Sequence, residues 1–69
     1  MKIEDILAKI LGHSNFKYDS EVASIENWTS LNHLRIIVEI NKQFNLNLDP
    51  SDIHGSDHIQ AVLDLANGN

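Results

Sequence analysis

Ser30 lies three residues before His33 in Trp28-Thr29-Ser30-Leu31-Asn32-His33-Leu34, and that pair is the first place where chemistry is conceivable. A serine becomes a nucleophile when a base lies within hydrogen-bond reach and a further group orients that base. Spacing of i, i+3 on a helix makes the two side chains surface neighbours. So small a domain implies no pocket around them, and no catalytic residue is assigned. A second cluster holds His54 and His58 at i, i+4, with Asp52 and Asp57 close by, the residue types of a surface metal site. Gly55 and an expected helix break fall between the two imidazoles, which then need not share a face. Solvated loop residues are the better reading, and no metal ligand is assigned. The glycines at 12, 55 and 68 stand alone, so no glycine-rich phosphate loop exists.

Ser30 has another role open to it. It stands at the start of an apolar-periodic run, where Thr29 or Ser30 fits the N-cap and accepts a bond from an orphan backbone N–H. A hydroxyl at that position points outward, beside unpaired N–H groups and the positive end of the helix dipole. A phosphate ester is well placed there. Local physics allows both a cap and a chemical handle.

The elements that position these residues follow from periodicity. Ile3, Ile6, Leu7, Ile10 and Leu11 recur at i, i+3, i+4, i+7 and i+8, which predicts a helix over about 2–11 ended by Gly12. Residues 12–29 have no sustained period. Phe16, Tyr18, Val22, Ile25 and Trp28 are scattered through them, which predicts an ordered strap across the bundle. A second helix is expected over 30–44, with Leu31, Leu34, Ile37 and Val38 on one stripe and Ile36, Ile40 and Phe44 widening it. The β-branched run Ile36-Ile37-Val38 suggests a strand in isolation, but its length and flanking period favour helix. Asp49-Pro50 opens a short helix over about 50–54. The last helix is expected over 57–66, with Ser56 as cap, Ile59, Val62, Leu63 and Ala66 on one face, and Asn67-Gly68-Asn69 closing it. The expected fold is all-α: one domain over 1–69, an antiparallel bundle of three main helices plus one short one. Phe16, Ile37, Ile59 and Val62 are taken as core, and Trp28 as packed on the bundle.

Composition narrows the function classes. In 69 residues every apolar side chain counts, since folding at this size buries only roughly 60% of the unfolded surface. Without cysteine, neither a disulfide nor a thiolate zinc site supplements the core. No apolar run reaches the roughly 20 residues of a membrane span. Glu4 and Asp5 stand ahead of Ile6, Leu7, Ile10 and Leu11, unlike a secretion signal, so a cytoplasmic monomer is expected. A net charge of −5 argues against nucleic acid and suits docking to basic protein patches.

Trp28-Thr29-Ser30-Leu31 through Ile53 resembles the acyl carrier protein family, whose attachment signature is Asp-Ser-Leu at the start of the second helix. Ser30-Leu31 matches the signature serine and leucine. Phe44 to Leu48 resembles the family's exit from that helix, and Asp49 to Ile53 its short third helix. Trp-x-Ser-Leu-x-His-Leu, as Trp28 to Leu34, is similar to stand-alone carriers outside the main fatty-acid pathway, and the likeness extends over nearly the whole chain. The resemblance implies that Ser30 takes 4′-phosphopantetheine from a phosphopantetheinyl transferase, with Thr29 and Leu31 flanking the site. The arm's thiol would carry an acyl or aminoacyl group between an activating ligase and a downstream transferase, the carrier itself being no enzyme. An unmodified bundle acting as a protein-interaction module is the alternative. Two departures stand out. Thr29 occupies the place of the signature aspartate. Within residues 30–44, Arg35 and Lys42 against Glu39 leave +1, while Lys2, Lys9 and Lys17 against nine acids leave −6 elsewhere.

Overall fold

The structure, a computed structural model, describes residues 2–66. Among them are three α-helices: α1 (Ile3–Leu11), α2 (Ser30–Phe44) and α3 (Ile59–Ala66). Two 3-10 turns, Val22–Ser24 and Pro50–Asp52, lie in the connections, and the described residues contain no strand beyond one isolated antiparallel bridge between Glu21 and His58. Asn67 to Asn69, expected to close the last helix, and the side chain of Ala66, expected on its apolar face, lie outside the described residues.

α1 forms as its stripe predicts. Ile3, Ile6, Leu7 and Leu11 are buried, with Ile10 half-buried against the core. The Asp5 carboxylate accepts from the Lys2 backbone N–H at 3.3 Å, which engages one donor at the helix start. Gly12 takes φ 83°, a left-handed conformation that a Cβ disfavours, and its N–H bonds Ala8 O at 2.9 Å to end the helix.

α2 corrects the expected stripe. Its buried residues are Ile36, Ile37 and Ile40, with Phe44 half-buried beside them, whereas Leu31, Leu34 and Val38 are 65, 48 and 63% exposed. At 3.6 residues per turn the two sets centre roughly 140° apart around the helix. One helix cannot bury so wide an arc against α1 and α3. The β-branched isoleucines occupy the contact, and the second apolar set faces solvent. Asn45 ends the helix in the left-handed region at φ 54°, a conformation asparagine tolerates.

The strap is ordered by what it buries and what it bonds. Val22 and Ile25 enter the core, Phe16 only half so, which falls short of the core position expected of it. His13 Nδ1 accepts from the Asn15 N–H at 2.9 Å, so Nε2 carries the proton and donates to Glu26 O at 2.7 Å. Asn27 Nδ2 donates to Leu11 O at 3.0 Å, tying the end of the strap to the end of α1.

The last two elements are shorter than expected. The 50–54 segment contracts to the turn Pro50–Asp52, because Ile53 leaves it with extended backbone at φ −120° to bury its side chain. The last helix starts at Ile59, not at 57, and Ser56 does not cap it. Its first N–H groups instead reach strap carbonyls: Ile59 N–H to Ser20 O at 3.0 Å and Gln60 N–H to Tyr18 O at 2.9 Å. Val22 N–H to Asp57 O and Ala23 N–H to Gly55 O, both 2.9 Å, extend the same seam. No helix of the described residues is long and apolar enough to cross a membrane.

Candidate functional site

At the start of α2 the choice between two caps is resolved. Thr29 is the N-cap: its backbone is extended, and Oγ1 accepts from the Asn32 N–H at 3.1 Å. Thr29 O receives the first intrahelical bond, from the His33 N–H at 2.8 Å. Ser30 is therefore the first helical residue, exposed, and its hydroxyl has no partner among the described residues. The backbone N–H groups of Ser30 and Leu31 likewise have none there. An outward hydroxyl beside two free amides at a helix start fits a phosphate ester, whose oxygens would accept from those amides while the dipole favours the charge.

The approach to this helix start is held by two residues that sequence reasoning missed. Asn27 sits at φ 69°, and its carbonyl accepts from Asn32 Nδ2 at 2.8 Å. This bond locks the turn before the cap from the helix side. The only sequence signal was an asparagine two residues before the cap, a type that visits the left-handed region several-fold more often than most.

His33 is not a base for Ser30. Trp28 Nε1, which can only donate, bonds His33 Nδ1 at 3.0 Å. The ring proton is therefore on Nε2, which donates to Pro50 O at 2.7 Å. With both nitrogens engaged, no lone pair is left to take the Ser30 proton. The chain Trp28–His33–Pro50 is a structural brace joining the strap, α2 and the second 3-10 turn.

Beside Ser30 lies an open groove of about 370 Å³, lined by Val22, Ala23, Trp28, His33, Leu34 and Gly55 together with Thr29 and Ser30. Trp28 is half-buried and packs on the core, as expected, and it also walls this groove. The floor is tight. A Cβ placed on Gly55 would lie 3.0 Å from the Ala23 Cβ, closer than ordinary contact, so glycine lets the α3 approach meet the strap. Leu31, expected to flank the site, is exposed next to Ser30.

His54 and His58 do not assemble into a centre. Both are exposed, the Asp57 carboxylate accepts from the His54 backbone N–H at 2.8 Å, and His58 pairs with Glu21 through backbone. Among the described residues no three of His, Cys, Asp and Glu gather closely enough to hold a metal ion. Asn41 of α2 is a half-buried clamp: Oδ1 accepts from the Leu48 N–H at 2.8 Å and Nδ2 donates to Leu48 O at 3.0 Å.

The chain matches no protein-family model, no curated protein and no solved structure.

Proposed function

We propose that this chain is a stand-alone carrier whose Ser30 is esterified with 4′-phosphopantetheine, in a specialised biosynthetic pathway. The observation that carries the reading is the division of labour at the start of α2. Thr29 does the capping, so the Ser30 hydroxyl is exposed and uncommitted. When attached, the arm would supply the thiol that a cysteine-free chain lacks, holding acyl or aminoacyl cargo as a thioester. This chain's own residues have other tasks. Thr29 holds the helix start in shape, the free amides of Ser30 and Leu31 face the phosphate, and Trp28 walls a groove in which an arm can rest. Because the His33 ring is engaged on both sides, removal of the Ser30 proton falls to the phosphopantetheinyl transferase. Thr29 in place of the family's aspartate keeps the cap but removes a carboxylate from the surface that such a transferase meets. The remaining partners in this reading are an acyl- or amino-acid-activating ligase and a downstream transferase, acting on a cytoplasmic monomer with an acyl-carrier-like antiparallel fold.

Intact-mass measurement after co-expression with a broad-specificity phosphopantetheinyl transferase tests the reading. A single phosphopantetheine adduct is expected on the wild type and none on Ser30→Ala. An unmodified wild type with its cognate transferase overturns it. The second reading, an unmodified interaction module, draws on the exposed apolar set Leu31, Leu34 and Val38. That reading predicts function retained in Ser30→Ala.

A further inference from the structure

We infer that the exposed face of α2 and the adjoining edge of α1 form a docking groove for an acidic amphipathic helix of a partner protein. Leu31, Leu34 and Val38 recur at i, i+3 and i+7, the register with which one helix meets another, and all three are exposed. Ile10 of α1 continues the apolar surface, and an open groove of about 410 Å³ runs between the helices. Its rim selects the occupant. Lys9 on one wall and Arg35 on the other are exposed cations, and Lys42 follows two turns after Arg35. The one rim acid, Glu39, is half-buried and accepts a bond from Gln43 Nε2 at 3.0 Å.

The setting sharpens this choice. Residues 30–44 carry +1 while the rest of the chain carries −6. The acidic remainder of the molecule attracts a basic partner and disfavours an acidic one, whereas the cations Lys9, Arg35 and Lys42 beside this face favour an acidic one. Charge therefore orients an acidic partner onto the apolar stripe. Overall composition, with its net −5, points the opposite way. The stripe begins at Leu31, so a seated partner lies within one helical turn of the Ser30 hydroxyl. The inference does not depend on whether Ser30 is modified.

The test uses two synthetic helical peptides with the same leucine face, one flanked by glutamates and the other by lysines. Each is titrated into the 15N-labelled chain, as wild type and as Ser30→Ala, at low and high salt. The glutamate peptide is expected to bind about tenfold more tightly than the lysine peptide, and to weaken with salt. Its amide shifts should centre on Lys9, Ile10, Leu31, Leu34, Arg35 and Val38, identically in Ser30→Ala. Arg35→Glu should erase the preference, and Val38→Glu should weaken the glutamate peptide by about tenfold. Both residues are exposed, so both variants should keep the wild-type fold, checked by their spectra. Equal affinities, preference for the lysine peptide, no binding, or shifts centred elsewhere would each overturn the inference. So would self-association of the chain that Val38→Glu abolishes, because the occupant would then be a second copy. Since Ser30→Ala reports docking alone and intact mass reports modification alone, the two proposals fail separately.

Discussion

Two helix starts in this molecule solve the same problem in opposite ways. Every α-helix begins with N–H groups that have no partner inside the helix. At α3 the strap closes that end with backbone: the carbonyls of Tyr18 and Ser20 take the Gln60 and Ile59 N–H groups, and Ile59 beneath them is buried. At α2 one side chain, Thr29, takes one N–H, while Ser30 and Leu31 face solvent. A start closed by backbone is structural and has nothing left to offer a ligand. A start closed by a single threonine keeps free amides and a free hydroxyl at the positive end of a dipole. The difference separates scaffold from candidate site.

The largest effect that sharpens this contrast comes from truncating an apolar residue at each start. Ile59→Ala should destabilise the fold by about 2–4 kcal/mol, because it leaves a cavity under the seam. Leu31→Ala, at the open start, should change stability by less than about 0.5 kcal/mol. Urea unfolding followed by circular dichroism measures both, and equal losses would erase the contrast. Amide exchange reads the starts directly. Ile59 and Gln60 N–H should be protected by roughly a hundredfold more than Ser30 and Leu31 N–H. A protected Ser30 amide would mean that the α2 start is closed after all.

Smaller effects concern the brace and the cap. His33→Ala removes the acceptor of the Trp28 indole and the donor to Pro50, and should cost about 1–2 kcal/mol. Trp28 is the single tryptophan, so its fluorescence should shift to longer wavelength as the indole N–H turns to water. An unshifted spectrum would show that the brace does not hold the indole. Thr29→Ala should cost about 1 kcal/mol, whereas Ser30→Ala should be neutral within about 0.5 kcal/mol. The reverse order would make Ser30 the cap and remove the basis for treating it as a handle.

How much of this was legible in the chain varies by element. α1 could be read almost to the residue, because a regular apolar stripe and a terminal glycine state the same boundaries. The length of α2 was equally legible. Its buried face was not. Seven apolar residues spread around one helix leave the inward arc undetermined until α1 and α3 are set against it. The α3 boundary failed for a related reason: Asp57 and His58 look helical locally, but their backbone is drawn into the seam with the strap.

At the site, local chemistry named Thr29 and Ser30 as alternative caps and His33 as Ser30's neighbour. It could not choose among their roles. Hydroxyl and imidazole roles depend on which donors and acceptors arrive from distant segments, here Trp28 at the end of the strap and Pro50 beyond α2. Periodicity, terminal glycine and charge placement act over a few residues, so the number of main helices, the limits of α1 and α2 and the displaced acidity are written in the chain itself. Which isoleucines are buried, which leucines are bare, and that Ser30 is free while His33 is not arise only when α1, the strap and α3 close around α2. Burial and hydrogen-bond partnership are properties of neighbours, and these neighbours meet only on folding.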